Sequence, residues 1–441
     1  METKAPEINR NKLFWIGVIA LFTAGMNASL RGAVARDIKT EYLDGIDLVN
    51  SGAMIAQSLA AAFLGFALTL FFASPFLNAV GMKRMLAVAA LCFVGGCLCV
   101  VLSGTIATGA SVSTLIWAGM FLTGVAWGCT EATINPMTTT LYPDEKTHRL
   151  NVLHAWWPAG IIVGGLIGYF MGSLNISWKV ALGMGMVPAF VFAFMLIGTK
   201  FPQTERAAAG ISFGDMLKEV IRRPSFLIWF VAMFMTAASE LAPGQWVDLA
   251  LSNIVGFRGI LILVYVSALM FVMRHFAGVL VHRLSNPGLM MFSSALAACG
   301  LYLLSTAHSP ASAFIAATVW GIGVCYMWPT MLASVAERYP RGGSWMIGLL
   351  GSAGAMSIYF VLPKLGTIYD KAQLQAAGSA EALERLTAEA VTNPEVMEPI
   401  MAAAATQSFR SIAVIPALLV FIFAGLWFYE SKVAKAKPTK T

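Results

Sequence analysis

The sequence predicts an all-α membrane protein of twelve transmembrane helices, arranged as two pseudo-symmetric six-helix bundles. Three observations lead there. Hydrophobic residues make up 58% of the 441 and charged residues only 12%, whereas a soluble domain carries roughly a quarter charged. The apolar residues run in continuous blocks near the ~20 residues that cross a bilayer as a helix, without the alternation of a barrel strand. A polar segment at 200–224 then separates six blocks from six.

The blocks fall at about 13–33, 47–76, 83–105, 112–141, 150–173, 178–199, 225–250, 257–281, 288–306, 309–335, 343–366 and 409–430. Turn signals such as Asn286-Pro287-Gly288, Ser309-Pro310 and Tyr339-Pro340 divide several of them. The first block is too long for a signal h-region and lacks a small-residue cleavage site, so it reads as a retained helix. Lysines and arginines gather on one set of loops, while 103–111 and 306–310 carry no charge. This bias puts both termini in the cytoplasm and accounts for the net charge of +7 without nucleic acid.

The chain therefore divides into an N-terminal bundle, 1–200; a cytoplasmic linker, 201–224; and a C-terminal bundle, 225–441. In the linker, Phe213, Met216, Leu217, Val220 and Ile221 recur at the spacing of an amphipathic surface helix. The C-terminal bundle holds an acidic, alanine-rich periplasmic insertion at 367–408 and a basic tail. Block four ends at Tyr142-Pro143 and block ten at Tyr339-Pro340, a weak internal repeat of the sort found in two-bundle carriers. The six cysteines all lie in apolar blocks and read as small packing residues, with neither a disulfide framework nor a zinc site expected. No cofactor is implied. The absence of a phosphate loop, His-Glu-x-x-His or Gly-x-Ser-x-Gly argues against an enzyme and against pumping driven by ATP within this chain.

The informative residues are polar groups inside apolar blocks, because ionisable side chains there are costly and usually face a cavity. Glu131 lies deep in block four and reads as a proton site or a hydroxyl acceptor. Arg274, at similar depth in block eight, could neutralise a carboxylate or bind a substrate oxygen. Glu240 opens a polar run with Gln245, Trp246 and Asp248. Gln57, Asn135, Asn151 and His154 are further cavity candidates. Arg31, at the outer end of block one, reads as snorkelling to the interface. Trp127 lies four residues before Glu131 and so shares its face. Trp127, Trp156 and Trp328 are possible stacking surfaces for the apolar face of a sugar ring. Gly160, Gly164, Gly168 and Gly172 form a small-residue stripe for close helix packing.

On these residues the chain resembles the major facilitator superfamily. The loop after block two keeps Gly81, Lys83 and Arg84 of that superfamily's Gly-x-x-x-Asp-Arg-x-Gly-x-Arg-Arg motif, but has Asn78 for the acid and Ala79 for the first arginine. Within the superfamily the chain is most similar to the fucose:proton symporters. The run from Glu131 through Asn135-Pro136, the following Arg149-Leu150-Asn151, Trp328-Pro329-Thr330, Ser239-Glu240, and Arg274 with Arg283 carry this likeness. The resemblance implies the major facilitator fold and a secondary transporter of a sugar or sugar acid. Glu131 would be the protonation and sugar-binding carboxylate, and Lys83, Arg84, Arg149 and Arg283 would serve gating. The family's Asn-Asp pair in the first helix falls on Arg31 and Gly32, and His154 stands where relatives have glutamine. The reading is thus a monomer in a bacterial inner membrane that carries a small solute, with protons as possible co-substrate. An exporter of drugs or amphipathic compounds and a non-transporting sensor are the alternatives.

Overall fold

The computed structural model describes residues 8–47, 51–251, 260–390 and 392–436, and the side chains of all these except 51–53, 245–251, 260, 362–363, 394 and 433–436. The described chain is helical, with no strand among the described residues. Eleven of its helices are long and apolar enough to cross a membrane, and a shorter apolar helix ends at Arg274. In order they are α1 Arg10–Ala33, α2 Ser51–Ala73, α3 Met82–Val101, α4 Ala110–Leu141, α5 Lys146–Ser173 and α6 Trp178–Met195. After the linker helix α7, Phe213–Arg222, come α8 Phe226–Leu251, α9 Ile260–Arg274, α10 Ala277–Leu304 and α11 Pro310–Arg338. The chain ends with α12 Gly343–Ala377, the short α13 Ala380–Glu389, and α14 Glu398–Ala436.

The α10 helix is broken at Ser285, whose φ is 59°, next to Asn286-Pro287. Proline cannot donate to the preceding turn. The sequence's turn signal at 286–288 therefore separates two spans here, and the first turns of α10 complete the span begun by α9.

By backbone proximity the chain forms two compact units. The first comprises Met1–Phe230 with Met331–Met356, and the second comprises Val231–Thr330 with Ser357–Thr441. Apolar helices gain little from hydrophobicity inside lipid, so close backbone contact at small residues holds them together. In the first unit a Cβ at Gly96 would lie 2.7 Å from the Gly119 carbonyl oxygen, and one at Gly124 would collide with that of Ala62. These contacts lock α4 against α3 and α2. The glycine stripe of α5 does the same against α1: a Cβ at Gly160 or Gly164 would collide with Phe22 or Ser29, while one at Gly172 would meet nothing. In the second unit, side chains at Gly300 and Gly323 would collide with Trp320 and Ala297, which fixes α10 on α11.

Residues 331–356 are tied into the first unit. Thr147 Oγ1 donates to Glu337 at 2.8 Å and Ser352 Oγ to the Ala67 carbonyl at 3.0 Å. The linker joins them through Lys146–Glu205 at 2.9 Å and through Glu219, which faces both Arg223 and Arg341.

Candidate functional site

In the first unit, α4 presents Thr123, Trp127, Glu131 and Asn135 at four-residue steps, which places them in one stripe along the helix. Glu131 is buried. Trp127 Nε1 donates to Glu131 Oε1 at 2.8 Å, and Asn135 Nδ2 gives a longer bond of 3.4 Å to Oε2. With its amide nitrogen turned to Glu131, Asn135 presents its oxygen to His154 Nε2 at 2.9 Å, and the imidazole donates there. Three of the residues expected from sequence, Glu131, Asn135 and His154, thus form one chain of hydrogen bonds across α4 and α5. Burying a charge within the bilayer costs on the order of 3 kcal/mol even on permissive insertion scales. A carboxylate kept there, oriented by an indole and an amide, is poised to gain or lose a proton or to accept hydroxyls.

Trp127 is packed on its ring faces by Phe66, parallel at 3.8 Å, and by Trp157 at 4.3 Å. In this structure it positions Glu131 rather than offering a free face. Trp156 meets the half-exposed Trp15 edge-on at 5.5 Å. Trp157, which stacks on Trp127, is placed by its backbone's close contact with Gly25, and that contact sets the rotation of α5 on α1. Gln57 is exposed on α2. Asn151 is buried and donates to the Thr147 carbonyl of its own helix at 2.9 Å.

Arg31 does not snorkel. It is only 5% exposed, and its Nη1 donates to Thr123 Oγ1 at 2.7 Å. It therefore meets the same stripe of α4, two turns from Glu131. Nearby, Asn27 donates to the Gly185 carbonyl at 2.9 Å and accepts from the Cys97 thiol at 3.0 Å.

In the second unit the predicted acid and base find each other. Arg274 Nη2 lies 3.0 Å from Glu240 Oε1, and Arg274 Nε donates to the Cys325 carbonyl at 2.6 Å. Trp320 Nε1 donates to the Ser239 carbonyl at 3.1 Å and anchors this part of α8. Trp328 is buried. Gln245, Trp246 and Asp248 lie outside the described side chains.

The expected gating residues differ among themselves. Lys83, Arg84 and Arg283 are exposed. Arg149 pairs with Glu145 at 2.9 Å and lies over the Tyr142 ring. A residue the sequence reading missed is Arg206. The Asn78 amide contacts Thr204 Oγ1 at 2.8 Å and, with its oxygen turned to the guanidinium, accepts from Arg206 Nε at 3.1 Å. Arg206 also donates to the Ile211 carbonyl, and its stem packs on Gly343, whose φ is +49°. The motif loop lacks its own arginine at Ala79, and the linker brings one to it. Partial burial lowers the pKa of this guanidinium, but an arginine stays charged at any physiological pH.

The family model of the Major Facilitator Superfamily matches residues 13–367. No curated protein matches the sequence. Among solved structures, the E. coli fucose:proton symporter FucP in the outward conformation is 16% identical, with 92% of this chain and 98% of that one covered and a TM-score of 0.62. The proton:xylose symporter XylE of E. coli, bound to 6-bromo-6-deoxy-D-glucose, is 13% identical over 94% of this chain and 95% of that one, with a TM-score of 0.72. The human organic anion transporter MFSD10 is 11% identical over 95% and 100%, with a TM-score of 0.64. At these identities the likeness shows the fold alone.

Proposed function

Because the chain belongs to the major facilitator superfamily, and is thus a multi-pass membrane transporter, we propose that it moves a sugar or related polyhydroxylated solute by alternating access, coupled to protons through Glu131. The observation that carries this is the buried Glu131 carboxylate, oriented by Trp127 and Asn135, with His154 joined to it through the Asn135 amide. Carboxylate, amide and imidazole are the groups that exchange hydrogen bonds with sugar hydroxyls. The sugar:proton symporters among the structural neighbours are consistent with this reading.

A charged carboxylate resists the dry intermediate through which a carrier reorients, because burying an isolated charge is far costlier than burying a neutral acid. Protonation of Glu131 lets the loaded carrier cross, and release of the proton on the other side resets it. The 1–200 and 225–441 halves open in turn. On the linker side, the contact Thr147–Glu337 is among those that part, with Lys83, Arg84, Arg149 and Arg283 at the same gate. The basic bias of the linker side puts that side in the cytoplasm with both termini, in a bacterial inner membrane.

Glu131→Gln tests the proton role, since it keeps shape and hydrogen bonding but cannot ionise. In proteoliposomes the variant should lose accumulation driven by a pH gradient and keep counterflow. Proton-driven accumulation equal to the wild type would refute the role assigned to Glu131.

A further inference from the structure

Arg31 is a guanidinium inside a membrane-spanning helix with no carboxylate against it among the described residues. It carries five N–H donors and makes one hydrogen bond among the described residues, to Thr123 Oγ1. No ion pair of the described residues includes it. The titratable group facing it is Cys97, whose thiol donates to Asn27 Oδ1; a thiol that donates is protonated and cannot neutralise a cation. Arg274, equally buried, has Glu240. A buried cation in a bilayer is normally paired or functional, and the pairing is missing at Arg31.

Its position supplies a use. Arg31 meets α4 at Thr123, the first residue of the stripe that continues through Trp127 and Glu131 to Asn135. Thr123 and Glu131 are about 12 Å apart along the helix, at ~1.5 Å per residue. A six-carbon chain with a hydrogen bond at each end spans a similar length. Arginine's fork matches a carboxylate bidentately.

We propose that Arg31 is the counter-ion for a carboxylate on the solute, so that the cargo is a sugar acid whose hydroxyls reach the Glu131, Asn135 and His154 end of the stripe. This rests on the reading of that stripe as the solute site. Binding of the acid supplies the missing negative charge, and the cationic α1 then enters the reoriented state neutralised.

The test is thermal stabilisation of the purified full-length protein by gluconate and glucuronate, against glucitol and glucose, in the wild type, Arg31→Gln and Arg31→Lys. The acids should bind the wild type at least tenfold more tightly than their neutral counterparts. Arg31→Gln should weaken the acids about 100-fold, as expected for loss of one member of a buried charge pair, and change the neutral compounds less than threefold. Arg31→Lys, which keeps the charge without the fork, should fall between. If the wild type binds acids no better than neutral sugars, or binds none of the four, the inference is wrong whether or not Arg31→Gln folds. It is equally wrong if Arg31→Gln keeps the acid preference. Counterflow separates this from the carrier reading. Exchange of neutral sugars without an acid preference overturns the role of Arg31 alone, whereas acid binding through Arg31 with no exchange of any solute overturns the carrier reading.

Discussion

In the second unit the buried base and acid, Arg274 and Glu240, lie 3.0 Å apart. In the first unit the buried acid Glu131 takes hydrogen bonds from Trp127 and Asn135, and the buried base Arg31 gives one to Thr123. Both units hold an acid and a base inside spans; in the second they form an ion pair, and in the first Arg31 lies against the Thr123 hydroxyl. In such a pair the two charges meet each other's demand, although Glu240 Oε2 is buried without a hydrogen-bond partner among the described residues. Arg31, beside a neutral hydroxyl, retains a demand for charge, which an anion can meet. On this comparison the Arg274–Glu240 pair contributes to architecture, whereas the proton and solute roles proposed above fall on Glu131 and Arg31 of the first unit.

The largest effect should come from breaking the Arg274–Glu240 pair. Glu240→Ala leaves the Arg274 guanidinium enclosed without its carboxylate, and removing one member of a buried pair costs about 3–5 kcal/mol. Replacing both residues by methionine should cost much less, because no charge is then stranded. Melting temperatures of the purified variants check this. Glu131→Gln should by contrast melt close to the wild type, since the amide can still accept from Trp127. If Glu240→Ala melts as high as Glu131→Gln, the distinction between the units fails.

A middle-sized effect isolates how the first unit holds its acid. Trp127→Phe keeps a ring between Phe66 and Trp157 but removes the Nε1–H donated to Glu131. A hydrogen bond to a charged group is worth about 1.5–3 kcal/mol, so the variant should lose stability in that range and bind solute more weakly. An unchanged melting temperature together with unchanged solute affinity would mean that the indole packs without orienting the carboxylate.

The parts of this site that were legible in sequence are those that one helix determines. Trp127, Glu131 and Asn135 are four residues apart, and helical geometry alone puts them on one face. The depth of Glu131, Arg274 and Glu240 followed from counting residues along apolar blocks. What a second helix determines was harder. Trp156 and Trp157 are neighbours pointing about 100° apart, and the choice between them depends on how glycines rotate α5 on α1. Arg31 has the composition of an interfacial arginine, since it ends a block; only the approach of α4 shows that its head turns inward to Thr123. Arg206 was invisible because its partner, Asn78, lies 128 positions earlier in a loop that had lost its own arginine. The break of α10 was legible because Asn286-Pro287 is a local signal.

The smallest effect comes from an acid–base pair of the first unit that is exposed. Glu41 accepts from Lys179 Nζ at 2.8 Å and from the Trp178 indole. Partial burial pushes the Glu41 pKa up, but the hydrogen bonds from Lys179, Trp178 and Tyr42 outweigh it and hold the carboxyl below its usual value. A carboxyl whose folded pKa is depressed stabilises the fold above its unfolded pKa, near 4.3. That contribution is lost as the pH falls through the lower folded value. Glu41→Gln should therefore cost under about 1 kcal/mol at neutral pH, the range of solvent-screened pairs, and the gap to the wild type should close on acidification below pH 4. Melting curves of both proteins between pH 7 and 3 measure it. If Glu41→Gln costs as much as Glu240→Ala, the presence of a partner rather than enclosure in the span sets the energy of these pairs, and the contrast between the units would have to be explained without burial.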